Sequence, residues 1–468
     1  MNTAPDTVTK RSALFIASLA SFLFPLVGSS VNIALPVIGK ELAMDAVSLS
    51  WVATSFLLSA AMFLVPFGRL ADIYGRKKIF SYGISIYTAA SLLSAIAATP
   101  TQLIAFRILH GFGSAMIFGT GVAILTSVFP PHERGKALGI NVAAVYLGLS
   151  FGPFLGGFLV QHLGWRSIFF ANVPPGLIII VLVLWKLKGE WAEAKGEKFD
   201  FIGSTIYCLS LVVIMYGFTL LPKLSGLVLV IPGICGIIAF IWWELKAKHP
   251  VLNINLFRLN RVFALSNLAA LINYSATFAV IFLLSLYLQY IKEFSPQNAG
   301  LILISQPIMM TIFSPFAGWL SDRIEPRIVA SIGMTFTVIG LFLLSFLGEN
   351  TPLGFIIVNL MILGIGFGLF SSPNTNAVMS SVERRFYGVS AGTIGTMRLI
   401  GQMLSMGIAT LIFTIYIGRV QITPEYYLAF LKSVKTAFLV FSCLSFGGVF
   451  ASMARGRVHS HQARHLIK

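Results

Sequence analysis

The chain has 468 residues, of which 57% are hydrophobic and only 10% are charged, and its formal net charge is +17 at pH 7. A soluble globular domain carries about 25% charged residues, so this chain cannot cover itself with a polar surface. The composition therefore excludes a soluble protein and predicts an integral membrane protein built from helices, because long apolar runs favour helices over barrel strands. The positive charge is attributed to basic loops beside the membrane rather than to nucleic-acid binding.

Fourteen apolar segments are long enough to cross a bilayer, at about 20 residues per crossing. The first segment resembles a signal peptide in part, but its length favours a retained helix. A mixed-charge linker at residues 186–200 separates the sixth segment from the seventh. In chain order the segments cover residues 13–37, 51–67, 79–98, 103–126, 137–160, 167–185, 201–221, 227–243, 262–288, 298–320, 328–347, 353–374, 388–416 and 436–454.

Most of the 33 lysines and arginines fall on one side of these segments when the N-terminus is placed inside. By the positive-inside rule, this distribution predicts a multi-pass protein of the cell membrane with both termini in the cytoplasm. Arg107 and Arg398 are different, because each lies within an apolar segment. The three cysteines are each surrounded by apolar residues and show no metal-ligand spacing.

A charged turn occurs once in each half of the chain. The sequence GRLADIYGRKK covers residues 68–78, and a partial repeat, GWLSDRIEPR, covers residues 318–327. Each turn follows the second segment of a six-segment block, so the predicted architecture is two repeated bundles with an inserted helical hairpin. We expect an N-terminal bundle at residues 1–186, a linker with two extra helices at 187–261, a C-terminal bundle at 262–454 and a basic cytoplasmic tail at 455–468.

Several motifs in order resemble the major facilitator superfamily, in particular its fourteen-spanner drug:proton antiporter branch. The turn at residues 68–78 resembles the family's loop between helices two and three. LIAFRILHGFGSA (103–115) resembles its fourth-helix motif, and GLSFGPFLGG (148–157) resembles the fifth-helix motif of antiporters. GWRSIFFANVPPG (164–176) and the segment at 371–402 resemble two further signatures of that branch. The resemblance covers nearly the whole chain and implies two six-helix bundles with an inserted two-helix hairpin, all α-helical.

The resemblance implies that the charged turns form a cytoplasmic gate. Asp72 can pair with Arg76 or with the positive N-terminal end of a helix from the other bundle. Glycines at the turn permit tight helix ends. The alternative is a basic turn without a role in gating. The residues that we assign to the gate are Gly68, Asp72, Gly75, Arg76, Asp322 and Arg323.

Polar residues inside the apolar segments predict a substrate cavity. Arg107 is a charge in the middle of a span, and such residues usually face a cavity or a partner. Packing of Arg107 against backbone carbonyls is the alternative. His110 shares a helix face with Arg107, and we favour a hydrogen-bonding role over proton transfer. The candidate cavity residues are Asn32, Arg107, His110, Tyr146, Gln306 and Arg398.

The fifth-helix motif also has a packing interpretation. Gly148, Gly152 and Gly156 recur every four residues and form a stripe that allows close contact with another helix. Pro153 in the same stripe is expected to bend the helix. A G-x-S-x-G match in this segment is rejected as a hydrolase motif, because it lies in an apolar span.

One position departs from the family pattern. The antiporter branch usually has an acid in helix one, where this chain has Val27. We find no replacement carboxylate inside another span. A cavity with two arginines and no acid should prefer neutral or anionic amphiphiles, and a proton, if it is the coupling ion, cannot use a helix-one carboxylate.

The leading functional hypothesis is a secondary active transporter that exports drugs or amphiphilic small molecules, driven by an ion gradient. A transporter of one specific metabolite, or a facilitator without proton coupling, is the alternative. A membrane-embedded enzyme or a receptor is less favoured, because the sequence shows no catalytic set and no attached output domain. We expect a monomer in the lipid bilayer, without cofactor, metal site, catalytic residue or nucleic-acid partner. The sequence assigns no role to the inserted hairpin.

Overall fold

The computed structural model describes residues 7–252, 254–382 and 387–456. Nearly all of these residues are helical, and no strand occurs within these ranges. Helices are the expected result for long apolar runs, because a helix satisfies its own backbone hydrogen bonds and lipid offers none. Polar caps fix several helix starts, as where the Asp45 carboxylate accepts hydrogen bonds from the amides of Val47 and Ser48.

The chain forms an N-terminal bundle, a hairpin and a C-terminal bundle. The N-terminal bundle contains α1 (Thr7–Glu41), α2 (Ala46–Tyr74), α3 (Arg76–Ala95), α4 (Pro100–Val128), α5 (Pro131–Leu163) and α6 (Arg166–Trp185). The hairpin is α7 (Phe201–Leu220) and α8 (Leu224–Glu244), and a short α9 (Asn255–Leu259) follows. The C-terminal bundle contains α10 (Arg261–Thr277), α11 (Ala279–Leu286), a π turn (Tyr287–Ile291), α12 (Pro296–Leu303), α13 (Ser305–Arg323), α14 (Pro326–Leu344), α15 (Leu353–Ser380), α16 (Tyr387–Tyr416), a 3₁₀ turn (Pro424–Tyr426) and α17 (Tyr427–Ala454).

Within the described ranges, 13 helical stretches are long and apolar enough to cross a membrane. In this count of 13, the helices α10 and α11 with the π turn are one stretch, and α12 and α13 are another. The predicted third span corresponds to α3, which has the length of a span but a more polar sequence. It packs along α4, where a Cβ added to Gly113 would come within 2.9 Å of the Gly83 carbonyl oxygen. The helix α3 packs on α4 on one side and exposes apolar side chains such as Leu92 on another, and a fourteenth pass stays a prediction.

We call the end of the molecule that carries residues 68–78 the basic end, and the end with the α1–α2 turn the opposite end. At the basic end, three exposed tryptophans near the ends of α6, α8 and α13 each have a cation 3.7–4.3 Å from the ring centre. Tryptophan is typical of the interface between lipid and water. The three pairs are Trp185–Lys186, Trp242–Lys246 and Trp319–Arg323.

The glycine stripe of α5 packs against α1. A Cβ at Gly148 would lie 2.3 Å from the Phe22 carbonyl oxygen, and one at Gly156 would lie 2.6 Å from the Ser30 Cα. Gly152 faces Ser29 even more closely. Only glycine fits at such distances, so the stripe sets the spacing of α1 and α5. Pro153 lies inside α5, and its carbonyl oxygen faces Gly300 of α12.

The hairpin lies at the junction of the two bundles. The helix α7 contacts α2 of the N-terminal bundle and α16 of the C-terminal bundle. On α16, a Cβ added to Gly407 would meet the side chains of Phe218 and Met215 within 2.7–3.2 Å. The helix α8 packs on α7, where Gly233 approaches Ile214.

Candidate gates and substrate cavity

At the opposite end, hydrogen bonds join α1 to α11 and to the π turn that continues it. The Ser285 hydroxyl donates to the Asn32 carbonyl oxygen at 2.7 Å. The Gln289 amide donates to the Ile33 carbonyl oxygen at 2.9 Å. Both acceptors belong to the N-terminal bundle and both donors to the C-terminal bundle, so the two bundles are in contact here.

Two other helix pairs complete this closure. The buried hydroxyls of Ser50 on α2 and Thr410 on α16 lie 2.8 Å apart. The Ala46 amide donates to the Val420 carbonyl oxygen at 2.9 Å. A Cβ added to Gly300 of α12 would come within 2.2 Å of the carbonyl oxygen of Pro153, so α5 and α12 also touch. Three pairs of helices, one from each bundle, are therefore in contact at the opposite end.

Contacts between α2 and α16 continue part of the way toward the basic end. A Cβ added to Gly395 of α16 would still meet Leu64 of α2 at 3.8 Å. About one turn further, a Cβ at Gly68 or at Gly392 would meet nothing within 4 Å. The described contacts between the bundles therefore extend from the opposite end as far as Leu64, and the two glycines beyond it face no described atom of the other bundle.

The residues predicted for the N-terminal gate lie together at the basic end of α2 and α3. The Arg76 guanidinium donates two hydrogen bonds, at 2.7 and 2.9 Å, to one oxygen of Asp72. Arg76 also pairs with Glu193 at 2.8 Å and hydrogen-bonds with Ser127 of α4. Of the two partners that the sequence allowed for Asp72, the structure shows Arg76.

The linker (residues 186–200) covers this turn. The Glu190 carboxylate accepts hydrogen bonds from the amides of Lys77 and Lys78 at 2.8 and 3.2 Å. It thereby caps the positive N-terminal end of α3. Glu197 forms an ion pair with Arg69, and that hydrogen bond holds the pKa of the Glu197 carboxyl below its usual value.

Gly75 is required at this turn for two reasons. Its φ is +115°, a conformation that other residues rarely adopt. A Cβ at this position would also lie 2.4 Å from the Glu190 carboxyl carbon.

The second charged turn is less fully described. Arg323 stacks on Trp319, whereas the side chain of Asp322 lies outside the described part of the structure.

Arg107 and His110 lie inside the N-terminal bundle. Arg107 is 1% exposed and donates to the Val52 carbonyl oxygen at 3.1 Å, and its guanidinium lies 4.2 Å from the centre of the Phe56 ring. His110 is fully buried, with its ring 4.1 Å from that of Tyr87. In this state Arg107 is packed among aromatic rings and a backbone carbonyl, as the alternative interpretation of the sequence held.

The geometry also fixes the protonation state of His110. The Arg107 Nη1 lies 3.1 Å from the His110 Nδ1. A guanidinium can only donate, so Nδ1 must accept and the imidazole carries its single proton on Nε2. The Nε2 atom has no hydrogen-bond partner among the described residues.

Tyr146 and Arg398 belong to a polar cluster that joins the two bundles. The hydroxyls of Tyr146 on α5 and Ser371 on α15 lie 2.9 Å apart. Ser371 also interacts with Tyr274 of α10, and the Arg398 guanidinium lies 5.6 Å from the centre of the Tyr274 ring. We call these four residues the central cluster: Tyr146, Tyr274, Ser371 and Arg398.

The other predicted cavity residues are buried. Asn32 is 4% exposed, and its carbonyl oxygen forms part of the closure at the opposite end. Gln306 is 4% exposed, and its Oε1 has no hydrogen-bond partner within the described ranges. Val27, which replaces the acid of the antiporter branch, is buried in apolar surroundings. The structure therefore links Tyr146 and Arg398 through Ser371 and Tyr274, whereas Arg107 and His110 contact each other inside the N-terminal bundle.

Two buried charges were not visible in the sequence. Arg455, which the sequence places in the basic tail, is fully buried and donates to Asn374 at 2.7 Å and to Ser266 at 3.2 Å. Glu244, at the end of α8, is the one buried carboxylate among the described acids, and it accepts from the Leu252 amide. Both lie next to charged connectors in the sequence, so only the fold reveals their burial.

Comparison with known protein families agrees with this architecture. The sequence pattern of the family described as Major Facilitator Superfamily matches residues 17–406, with a second, overlapping match at 266–465. The chain belongs to the Major Facilitator Superfamily. Members of the Major Facilitator Superfamily that resemble this chain are transporters, so the chain is a multi-pass membrane transporter and not an enzyme.

Curated relatives in the superfamily include several exporters. The riboflavin transporter RibZ of Clostridioides difficile is 30% identical over 413 residues, which cover 88% of this chain and 89% of that protein. The cephamycin export protein CmcT of Amycolatopsis lactamdurans is 30% identical, with 86% and 85% covered. The multidrug resistance protein Stp of Mycobacterium tuberculosis is 28% identical, with 86% and 75% covered.

Solved structures in the superfamily share the fold. A bacterial homologue of the human lysosomal transporter Spinster has a TM-score of 0.70 and 14% sequence identity, with 96% of this chain and 97% of that chain covered. A D-xylose–proton symporter has a TM-score of 0.66 and 14% identity, with 96% and 97% covered.

Proposed function

We propose that the protein is a secondary active transporter that exports amphiphilic small molecules by alternating access. Its basic end faces the cytoplasm, and both termini lie there. The substrate binds at the central cluster between the two bundles. A proton gradient drives the export.

The observation that carries this proposal is the unequal contact of the two bundles along their length. Hydrogen bonds join the bundles at the opposite end, whereas Gly68 and Gly392 face open space at the basic end. The central cluster lies between these two ends and uses residues of both bundles. A site with this position is reached from one side at a time when the bundles rock against each other.

The chemistry of the central cluster favours neutral or anionic substrates. It contains one guanidinium, two tyrosines and a serine, and none of its four members is an acid. A guanidinium binds carboxylates and phosphates with paired hydrogen bonds, and tyrosine rings offer flat apolar surfaces with a polar edge. Arg398 is half-buried, so its charge is only partly screened by water.

The named relatives support an organic small molecule as substrate. Their printed names refer to riboflavin transport, cephamycin export and multidrug resistance. Transport of a single flavin-like metabolite is a second candidate function, favoured by the 30% identity to the riboflavin transporter over 88% of this chain. A broad exporter and a dedicated flavin transporter differ in the range of molecules that they move.

The test is accumulation in everted membrane vesicles with and without a proton gradient. The panel contains riboflavin, a cephamycin, a neutral lipophilic dye and a divalent lipophilic cation. We expect gradient-dependent accumulation of neutral or anionic members and little of the dication. Strong accumulation of the dication, or accumulation that ignores the gradient, would contradict the proposal. Accumulation of riboflavin alone would favour the second candidate.

Substitution of Arg398 tests the site itself. Arg398→Gln should raise the KM of an anionic substrate about tenfold, because a charge-assisted hydrogen bond contributes about 1.5 kcal/mol or more. The neutral dye should be affected less. Arg419→Gln, at an exposed arginine near the end of α16, is the matched control and should leave both KM values unchanged. Equal KM values for Arg398→Gln and the control would place the anion site elsewhere.

A further inference from the structure

The gate helix α2 contains a break in its hydrogen bonding. Pro66 lies inside α2 and has no N–H, so the Met62 carbonyl oxygen, four residues earlier, lacks its usual intrahelical donor. Pro66 is located between Leu64, where α2 still touches α16, and Gly68, where an added Cβ would meet no described atom within 4 Å. The break therefore separates the part of α2 that contacts the other bundle from the turn that carries Asp72.

The inserted hairpin supplies donors at this break. The Cys208 thiol of α7 donates to the Met62 carbonyl oxygen at 3.2 Å. The adjacent Tyr207 hydroxyl donates to the Ala61 carbonyl oxygen at 3.0 Å, and the Tyr207 side chain is 3% exposed. A carbonyl without a donor is costly in an apolar environment, so the Cys208 thiol replaces the donor that Pro66 removes, and the Tyr207 hydroxyl adds a second bond one residue earlier.

The linker before the hairpin contacts α2 on the other side of Pro66. Arg69, three residues after Pro66, forms an ion pair with Glu197. Glu197 also accepts from His249, in the segment that leaves the hairpin, at 2.7 Å. Contacts from the hairpin and its flanking segments thus lie on both sides of Pro66, within about two helical turns of α2.

We propose that the hairpin braces the Pro66 break, and that Tyr207, Cys208 and Glu197 are positioning residues of the gate. The brace makes the turn at residues 68–78 move together with the rest of the N-terminal bundle. Without it, α2 bends at Pro66 and the turn moves independently. The inference rests on the proposed function only in treating this turn as a gate.

The first test is hydrogen–deuterium exchange of the purified protein in lipid nanodiscs. Tyr207→Phe/Cys208→Ala should speed exchange of the amides at residues 67–74 about fivefold, as expected when hydrogen bonding worth about 1 kcal/mol is lost. Exchange in α4 should not change. Tyr216→Phe/Cys235→Ala, which alters exposed residues of the same hairpin, is the matched control and should match the parent protein. Unchanged exchange at 67–74 in the brace variant would overturn the proposal.

A Pro66→Ala background distinguishes a brace from ordinary packing. Alanine restores an N–H to position 66, so the Met62 carbonyl oxygen regains its intrahelical donor. In that background Cys208→Ala should produce no acceleration at residues 67–74, whereas the same substitution beside Pro66 should produce one. An equal acceleration in both backgrounds would show that α7 acts through packing alone and would contradict the brace.

A surface variant covers the case in which the double variant does not fold. Glu197→Gln breaks the ion pair with Arg69 outside the membrane and should also speed exchange at residues 67–74. No change there would count against the brace. In transport assays the brace variants should lower the maximal rate with KM unchanged, since substrate contacts are intact. The exchange measurements use no substrate, so they remain decisive if the proposed substrates or direction prove wrong.

Discussion

At the scale of single residues, Arg107 and His110 form a unit in which the histidine is the acceptor. The Arg107 guanidinium occupies the Nδ1 side of the imidazole, and a second positive charge on that ring would face it directly. The aromatic rings of Phe56 and Tyr87 enclose the pair. His110 in this state is a structural partner of Arg107, and proton transfer would require the pair to separate.

His110→Gln should therefore preserve gradient-driven transport, because the glutamine Oε1 can accept the hydrogen bond from Arg107. His110→Ala should lower the melting temperature, since it leaves Arg107 Nη1 without this acceptor in a buried site. Flux under an imposed pH gradient and thermal unfolding of both variants provide the measurements. A glutamine variant that folds but loses the response to the gradient would make His110 the proton carrier.

The sequence singles out individual polar residues but does not give their neighbours. Arg107, Tyr146 and Arg398 stand out because a polar side chain in an apolar run is visible without a structure. That Arg107 is packed under Phe56, while Arg398 lies over Tyr274 of α10, depends on helix rotation and on distant contacts. Arg455 shows the same limit, because its partners are far away in the chain.

At the scale of elements, the α2–α3 turn combines a backbone requirement with a close contact. Gly75 and Gly164 both have positive φ, +115° and +78°, in two turns of the N-terminal bundle. Only Gly75 also has a side chain pressed against it, that of Glu190. A comparison of the two positions therefore distinguishes the effect of backbone strain from the effect of the Glu190 contact.

Gly75→Ala should destabilise the protein more than Gly164→Ala. Both variants incur backbone strain of about 1–3 kcal/mol. Gly75→Ala also displaces the Glu190 carboxylate, which removes its two hydrogen bonds from the amides of Lys77 and Lys78. The melting temperatures of the two variants in the same detergent provide the comparison. Equal losses would mean that the Glu190 contact adds nothing to stability.

Hydropathy predicted where the helices lie along the chain, but it did not predict which helices pack against each other. Apolar runs located most membrane helices to within several residues, because the thickness of the bilayer sets their length, but α17 begins at Tyr427, well before the predicted span at 436–454. The inserted pair was also expected, at the correct place in the chain. Its docking on α2 beside Pro66 could not be predicted, because it depends on a proline in one helix and a tyrosine in another that are 141 positions apart.

At the scale of the whole molecule, transport by rocking bundles requires the contacts at the opposite end to break. The hydroxyls of Ser50 and Thr410 are buried and come from different bundles. Asn172 and Ser91 also lie close, at 2.8 Å, but both belong to the N-terminal bundle. These two pairs differ in whether rocking would separate them.

Ser50→Cys/Thr410→Cys should lose transport on oxidation and regain it on reduction, since a disulfide at this site would hold the bundles together. Cys235 and Cys443, which are exposed, would be replaced by alanine in both test proteins. Ser91→Cys/Asn172→Cys is the control and should transport equally in both redox states. The measurement is substrate flux in vesicles in the oxidised and reduced states, with disulfide formation checked by thiol labelling. Full activity of the oxidised cross-bundle pair would exclude rocking about this end.

The three tryptophan–cation pairs at the basic end have a consequence for ionic strength. They indicate where lipid gives way to water, and the ion pairs Arg69–Glu197 and Arg76–Glu193 lie at that same end. Salt weakens ion pairs at the protein surface but acts much less on buried charges. Added salt should therefore loosen the contacts that hold the linker on its turn, while Arg398, deeper between the bundles, keeps its attraction for an anion. Added salt should therefore change the rate of the conformational change more than the affinity for an anionic substrate.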